Sequence, residues 1–404
     1  VKIQKIETFP IKLKFKEPFV IASVVNYDLY YVIVRLTTDN GFIGYGEAIP
    51  AWEVTGETQL GVIDAINHFC EPRKTGFSLL GADISTFPQT LQILDRLSPG
   101  ADLPVIWGAP SAKAALEEAV LDAYGKYVQS PVYALFGGVN TKIPNNHAIS
   151  IYPVDETLAK VEKELRKGVR VLKLKVGMKQ VGTLDNYERD IQVIKAAREM
   201  VNRLDPAVTL VADANQGYLT PDRAISVIRR IEGCLDWLEQ PILADDKLGF
   251  REIKKTCDIK LMADESVHNY YDAKLLLTTG GIDFINLKLM KTGGLVQAIR
   301  IAGLAEQYGV KCQMGSMLEN QIGAAFCAHA FLSHKNIVTA ELGAFGWLQE
   351  CLGSGVGLMR NYITVTDTPG VGITVNPADI GKYLISEDDS LTYRQMKNLT
   401  AFTS

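Results

Sequence analysis

Thr209–Asp264 reads TLVADANQGYLTPDRAISVIRRIEGCLDWLEQPILADDKLGFREIKKTCDIKLMAD, and this stretch decides the fold. Three short apolar runs, Thr209–Ala214, Trp237–Gln240 and Lys260–Asp264, alternate with two amphipathic segments, Pro221–Ile231 and Gly249–Cys257. A parallel strand covered on both faces should be almost wholly apolar. Here each run carries a carboxylate near its end: Asp213, Glu239 and Asp264, at steps of 26 and 25 residues. That step is one strand–helix unit. Successive units therefore bring acidic groups to one rim, and the rim at the C-terminal strand ends is where a (β/α)8 barrel builds its site. A doubly wound open sheet would alternate in the same way; the placement of the charges favours the barrel.

The pattern extends in both directions. Upstream lie strand candidates His147–Tyr152 and Val171–Val176, with helix candidates Glu156–Lys167 and Asn186–Val201. Downstream lie strands Phe284–Met290, Val310–Gly315 and Ile337–Leu342, and helices Tyr271–Thr278, Leu295–Tyr308 and Gln321–Ser333. Eight strands result. The first 125 residues read differently, as strands (Val1–Lys14, Tyr30–Thr37, Gly41–Ala48) followed by helices, notably Ser111–Val128. The expected organisation is an α+β block over 1–125, a barrel over 126–353, and a C-terminal segment over 354–404.

Charge also falls on other strand ends. Lys173 and Lys175 alternate, so both point into the barrel from the second strand. Lys288 follows Asp264 by 24 residues, on the sixth strand across the barrel. Three hard oxygen donors without Cys or His suit Mg²⁺, with Mn²⁺ as a substitute. Without a cation they would repel one another and be costly to bury. Lysines beside such a cation have a lowered pKa, as a general base requires. Two lysines facing each other over a metal-held carboxylate can take a proton from one face and return it to the other. Singly, each residue has a plainer reading: an aspartate at a strand end is often a helix N-cap, and a strand lysine can snorkel to solvent. Charges on five successive strands in register make coincidence a poor account.

Bulk composition excludes other classes. The 404 residues are 47% hydrophobic and 22% charged, with net charge −4 from 42 basic and 46 acidic side chains. This gives no basic stripe for nucleic acid and no polybasic membrane patch, and no apolar run reaches the ~18 residues of a span. The six cysteines are scattered without a CxxC pair, which reads as free thiols in a reducing, cytoplasmic setting. Val1–Gln4 opens into strand-like sequence without a signal-peptide core. His329, on an apolar helix, reads as a satisfied core histidine.

The ordered set of motifs resembles the enolase superfamily, in its muconate-lactonizing-enzyme subgroup, along nearly the whole chain. It comprises Gly44-Tyr45-Gly46-Glu47-Ala48, Ala134-Leu135-Phe136-Gly137-Gly138, Lys173-x-Lys175, Asp213-Ala214-Asn215, Glu239-Gln240-Pro241, Asp264-Glu265-Ser266, Lys288-x-x-Lys291-Thr292-Gly293-Gly294 and Gly315-Ser316-Met317-Leu318-Glu319. The resemblance implies that Asp213, Glu239 and Asp264 bind Mg²⁺, that Lys175 and Lys288 are the acid/base pair, and that Lys173 supports Lys175 and the developing charge. It implies that Asn215 and Glu265 back the metal ligands. Sites of this superfamily use a lysine or histidine base with Mg²⁺ holding an enediolate formed beside a carboxylate, and the resemblance implies the same chemistry for this chain. It further implies that the N-terminal block and C-terminal segment cap the barrel mouth, with specificity from cap loops Phe19–Tyr27 and Ile49–Thr58 and from the eighth strand end.

Val54-Thr55-Gly56-Glu57-Thr58 resembles a loop of dipeptide epimerases, so Thr55, Glu57, Ser316 and Glu341 are the substrate-binding candidates. Glu341 is expected to aim its carboxylate at the mouth, where a dipeptide's ammonium needs an anionic partner. Dipeptide epimerases usually carry Asp-x-Asp there; this chain has Glu341-Leu342-Gly343. Lys175 and Asp213 are 38 residues apart, pointing to an insertion around Met178–Leu184, and Arg73–Thr86 also looks extended. The expected partner is a small-molecule carboxylate, a dipeptide first, with a cycloisomerase or N-acylamino acid racemase as alternatives. A homo-oligomer is expected.

Overall fold

Parallel strands that follow one another in sequence can close only through covering helices, and the chain builds eight such strands. The computed structural model describes residues 1–71, 78–97, 108–179, 181–386 and 389–390; residues 73–77 of the Arg73–Thr86 stretch lie outside them. Three antiparallel strands come first: β1 (Ile3–Val20), β2 (Val25–Thr38) and β3 (Ile43–Ala48), in the order β1-β2-β3. The connection expected over Phe19–Tyr27 is shorter than read, because both strands continue almost to the tip, pairing Phe19 with Asn26 and Val20 with Val25. The helix Pro110–Tyr127 packs across β3, and it lies close enough that a Cβ on Gly44 or Gly46 would strike the carbonyls of Ala119 or Ala115.

After a two-residue strand β4 (Ile143–Pro144), the barrel strands follow. They are β5 (His147–Ile149), β6 (Val171–Lys175), β7 (Thr209–Asp213), β8 (Trp237–Glu239), β9 (Leu261–Ala263), β10 (Phe284–Leu287), β11 (Lys311–Met314) and β12 (Ile337–Ala340). Each pairs in parallel with its sequence neighbour. The ring is closed by the Asn146 N–H, which donates to the carbonyl of Ala340 at 2.7 Å. The observed strands are shorter than their apolar runs. Lys288 lies just past β10, ahead of the short helix Leu289–Thr292 that occupies the end of the expected strand.

The chain then forms a hairpin, β13 (Gly357–Met359) with β14 (Tyr362–Thr364), whose second strand pairs with β4. It continues to the helix Pro377–Tyr383 and returns to β1, where Ile385 N–H donates to the carbonyl of Pro10. Barrel and cap thus share one core, which runs from Ile11 and Val32 through Leu174 and Ile285 to Ile380. Among the described residues no helix is long and apolar enough to cross a membrane.

Candidate active site

In the parallel ladder Lys175 lies opposite Asp213, and Asp213 opposite Glu239. Asp264 follows β9 by one residue, Lys288 follows β10, and Glu341 follows β12. Lys173, Asp213, Glu239 and Asp264 are fully buried. Ligand oxygens of Asp213, Glu239 and Asp264 lie within 4.8 Å of one another, the one such group among the described residues. All three donors are hard carboxylate oxygens, a set suited to Mg²⁺. Beside them the buried Asn215 Oδ1 and Glu265 Oε2 have no hydrogen-bond donor. The donor set fits a divalent cation.

Ammonium groups answer the carboxylates one by one. Lys175 Nζ lies 2.5 Å from Asp213 Oδ2, Lys173 Nζ 2.6 Å from Glu239 Oε2, and Lys288 Nζ 2.7 Å from Asp264 Oδ2. Burial opposes the charge on Lys175 and Lys288, but Asp213 and Glu341 hold the first raised, and Asp264 and Glu265 the second. The sequence predicts lowered lysines beside a cation; among the protein's own groups the carboxylates outweigh burial. Burial and the neighbouring Asp213 push Glu239 up to about 7.

Three residues that do not stand out in the sequence as site candidates shape the centre. Lys291, fully buried, donates to Asp264 Oδ1 at 2.5 Å. Asn286 Nδ2 donates to Glu239 Oε1 at 2.6 Å. Gln240 Oε1 accepts from the N–H groups of Asp264 (2.9 Å) and Ser266 (3.1 Å), tying the fourth strand end to the fifth. Lys291 and Gln240 stand inside quoted motifs, so the signal was present; Asn286 offered only its place two residues before Lys288. Asn215 donates from Nδ2 to Glu265 Oε1 at 3.1 Å, bringing the two expected supports together. Behind β6, the buried Arg189 donates from Nη1 to the carbonyl of Lys175 at 3.1 Å.

Above this floor opens a cavity of about 780 Å³ lined by Lys175, Lys288, Glu265, Ser316 and Glu341. The cap contributes Phe19, Trp52 and Val54, and the turn after β12 contributes Trp347. The Phe19 and Trp347 rings stack with centroids 5.0 Å apart, joining cap to barrel. Glu341 departs from expectation. Its carboxylate pairs with Lys173, giving that buried ammonium a second anionic partner beside Glu239. Thr55 and Glu57 are not brought to the cavity. Thr55 Oγ1 donates to the carbonyl of Ala51. Glu57 is buried at the start of the helix Pro110–Tyr127 and accepts from the N–H groups of Ser111 (3.1 Å) and Ala112 (3.4 Å). That helix begins on Ala109, which has no capping side chain, so Glu57 satisfies its free donors.

Comparison with known proteins agrees with this geometry. The profile of the mandelate racemase / muconate lactonizing enzyme N-terminal domain matches residues 5–137, and that of the enolase C-terminal domain-like family matches residues 156–379. The L-Ala-D/L-Glu epimerase of Bacillus subtilis is 33% identical over 92% of this chain and 97% of its own; its substrate-liganded structure superposes with a TM-score of 0.83. An N-succinyl-L-Arg/Lys racemase of Bacillus cereus is 30% identical over 96% of this chain and 99% of its own. A dipeptide epimerase of Enterococcus faecalis, solved with Mg and the dipeptide L-Leu-L-Tyr, is 31% identical, covers 93% of this chain and 100% of its own, and has a TM-score of 0.81.

Proposed function

The chain belongs to the mandelate racemase / muconate lactonizing enzyme family of the enolase superfamily, and from that membership we propose a Mg²⁺-dependent isomerase that epimerises one α-carbon of a dipeptide. The observation that carries the proposal is the opposition of two lysines. Lys175 comes from β6 and Lys288 from the end of β10, four strands away around the ring, and both line one cavity. An α-carbon held between them has its proton within reach of one amine and its vacated face towards the other ammonium. The neutral lysine takes the α-proton, the electron pair moves into the substrate carboxylate, and the opposite ammonium returns a proton to the other face. Lys173, held between Glu239 and Glu341, stays charged and supports the carboxylate as it gains electron density.

We assign Asp213, Glu239 and Asp264 to hold Mg²⁺, which when bound supplies positive charge against the substrate carboxylate and balances the anions that otherwise keep both lysines protonated. Asn215 and Glu265 support that set. The cavity wall formed by Phe19, Trp52, Val54 and Trp347 suits apolar side chains on the dipeptide. Ser316, at the mouth, is the remaining polar contact we assign to substrate. The free thiols support a reducing compartment such as the cytoplasm.

A second reading, an N-acylamino acid racemase, is favoured by the pairing of Glu341 with Lys173, which leaves less negative charge for a free ammonium. One experiment separates the two. In D2O with Mg²⁺, apolar dipeptides should acquire deuterium at one α-carbon with inversion, and chelation should stop it. Faster exchange on N-acylated amino acids would move the assignment to the racemase. Absence of exchange on both classes would end the epimerase and racemase readings and give a cycloisomerase precedence.

A further inference from the structure

The loop between β11 and the helix Gln321–Ser333 puts Ser316, Met317 and Leu318 on the cavity wall. Its internal hydrogen bonds leave one residue strained. Leu318 sits at φ 74°, in the left-handed region that non-glycine residues rarely occupy. The helix it leads into begins on Asn320, whose side chain does not cap; it is turned to the backbone of Leu352. The missing cap comes from the other domain. Glu47, at the end of the cap strand β3, accepts from the N–H groups of Asn320 (2.7 Å) and Gly323 (3.2 Å). Both carboxyl oxygens of Glu47 thus accept N–H groups that the helix start leaves without an intrahelical partner. Gly323 is needed for this: a Cβ there would lie 2.7 Å from Glu319 and 3.1 Å from Glu47. A second cap residue, Tyr31 on β2, donates its hydroxyl to the carbonyl of Leu318 at 3.0 Å. Inside the loop, Glu319 accepts from Ser316 Oγ and from Met317 N–H (2.8 Å).

We propose that Glu47 and Tyr31, which do not line the cavity, are positioning residues that let the capping domain set the placement of Ser316–Leu318 and hence substrate affinity. The inference rests on the proton-transfer reading only for its kinetic arm. Glu57 provides an internal control, being a buried helix-capping carboxylate of the same cap that accepts from Ser111 and Ala112 and does not line the cavity.

The test compares Glu47→Gln, Tyr31→Phe and Glu57→Gln in the full-length Mg²⁺-loaded protein, by amide hydrogen exchange and by steady-state kinetics. Glu47→Gln and Tyr31→Phe should speed exchange at Met317, Leu318 and Asn320 and raise KM ~10-fold, with kcat and Mg²⁺ affinity changed less than ~3-fold. Glu57→Gln should lower the melting temperature without either effect. Equal KM increases in all three variants would mean general loosening of the cap and would overturn the proposal. Unchanged exchange at Met317 and Leu318 in both Glu47→Gln and Tyr31→Phe would overturn it too. Should Glu47→Gln not fold, Tyr31→Phe alone decides between these outcomes. If the unmodified protein exchanges no substrate α-proton, the proton-transfer reading fails while the amide arm still decides this one.

Discussion

At the scale of single residues, function depends on which charges face each other across a few ångströms. Lys173 and Lys175 are neighbours on one face of the same strand, yet their partners separate their roles. Lys173 is locked between Glu239 and Glu341, whereas Lys175 pairs with Asp213 and opens onto the cavity. If Lys175 and Lys288 serve opposite faces, Lys175→Ala should slow deuterium uptake from one stereoisomer by ~10²–10⁴-fold and spare the first exchange from the other. Lys288→Ala should show the reverse preference. Uptake rates measured separately on each epimer decide it; equal losses on both would assign Lys175 to scaffolding. These residues were legible in the sequence because a charge inside an apolar strand is costly and so stands out. Glu341 was legible as a position but not as a contact, since its rotation towards Lys173 depends on a strand 168 positions earlier (173 to 341). Thr55 and Glu57 resembled a substrate loop by local pattern, while the free donors that claim Glu57 lie on a helix beginning at Pro110.

At the scale of elements, the barrel was readable from apolar runs and helical periodicity, and all eight strands appear where those runs lie. What periodicity cannot show is how one element ends on another. Carboxylates repeatedly cap helices distant in sequence: Glu57 the helix Pro110–Tyr127, Glu47 the helix Gln321–Ser333, and Glu117 the helix Leu295–Gln307 through Val296 N–H at 3.0 Å. Local sequence does not reveal such pairs: Ala109 and Gly294 have no capping side chain, and Asn320, an N-cap by residue type, turns its side chain to Leu352. Close approach of elements is equally silent in periodicity, though glycine marks it. A Cβ on Gly46 would sit 1.9 Å from the carbonyl oxygen of Ala115, a backbone atom that cannot rotate aside. Gly46→Ala should therefore destabilise the fold by roughly 1–3 kcal/mol as strand and helix are forced apart. Gly381, within the helix Pro377–Tyr383, has open space around its Cβ position, and Gly381→Ala should instead be neutral or stabilise by up to ~1 kcal/mol through helix propensity. Denaturant midpoints of the two variants should move in opposite directions, or the second not at all. A Gly46→Ala protein as stable as the parent would show that the contact relaxes.

At the scale of the whole molecule, the cap, barrel and returning C-terminal segment meet at buried polar contacts, and one of these reports on pH. His329, in the apolar helix Gln321–Ser333, accepts the Tyr133 N–H on Nδ1 at 3.0 Å and places Nε2 3.3 Å from the carbonyl of Val371. One neutral tautomer satisfies both contacts, with the proton on Nε2. A second proton, on Nδ1, would oppose the Tyr133 donor in a buried site. Burial accordingly pushes the imidazole down to about 4, from an ordinary value of 6.5. Between those values the unfolded chain binds a proton that the folded chain does not. The contribution of His329 is thus fully present above about pH 6.5, falls as pH drops towards 4, and changes no further below that. The full loss is about 3 kcal/mol. Buried glutamates run the other way: burial pushes Glu47 and Glu117 from 4.5 up to about 8, so their contribution is full below pH 4.5 and lost as pH rises to about 8. The total stability profile mixes both signs, and only a difference isolates the histidine. His329→Gln retains an acceptor and a donor but does not titrate. The stability advantage of the parent over this variant should be about 2–3 kcal/mol smaller at pH 4.5 than at pH 7.5, measured by urea unfolding at each pH. A gap of constant size would mean that His329 takes up its proton without breaking its junction with Tyr133 and Val371.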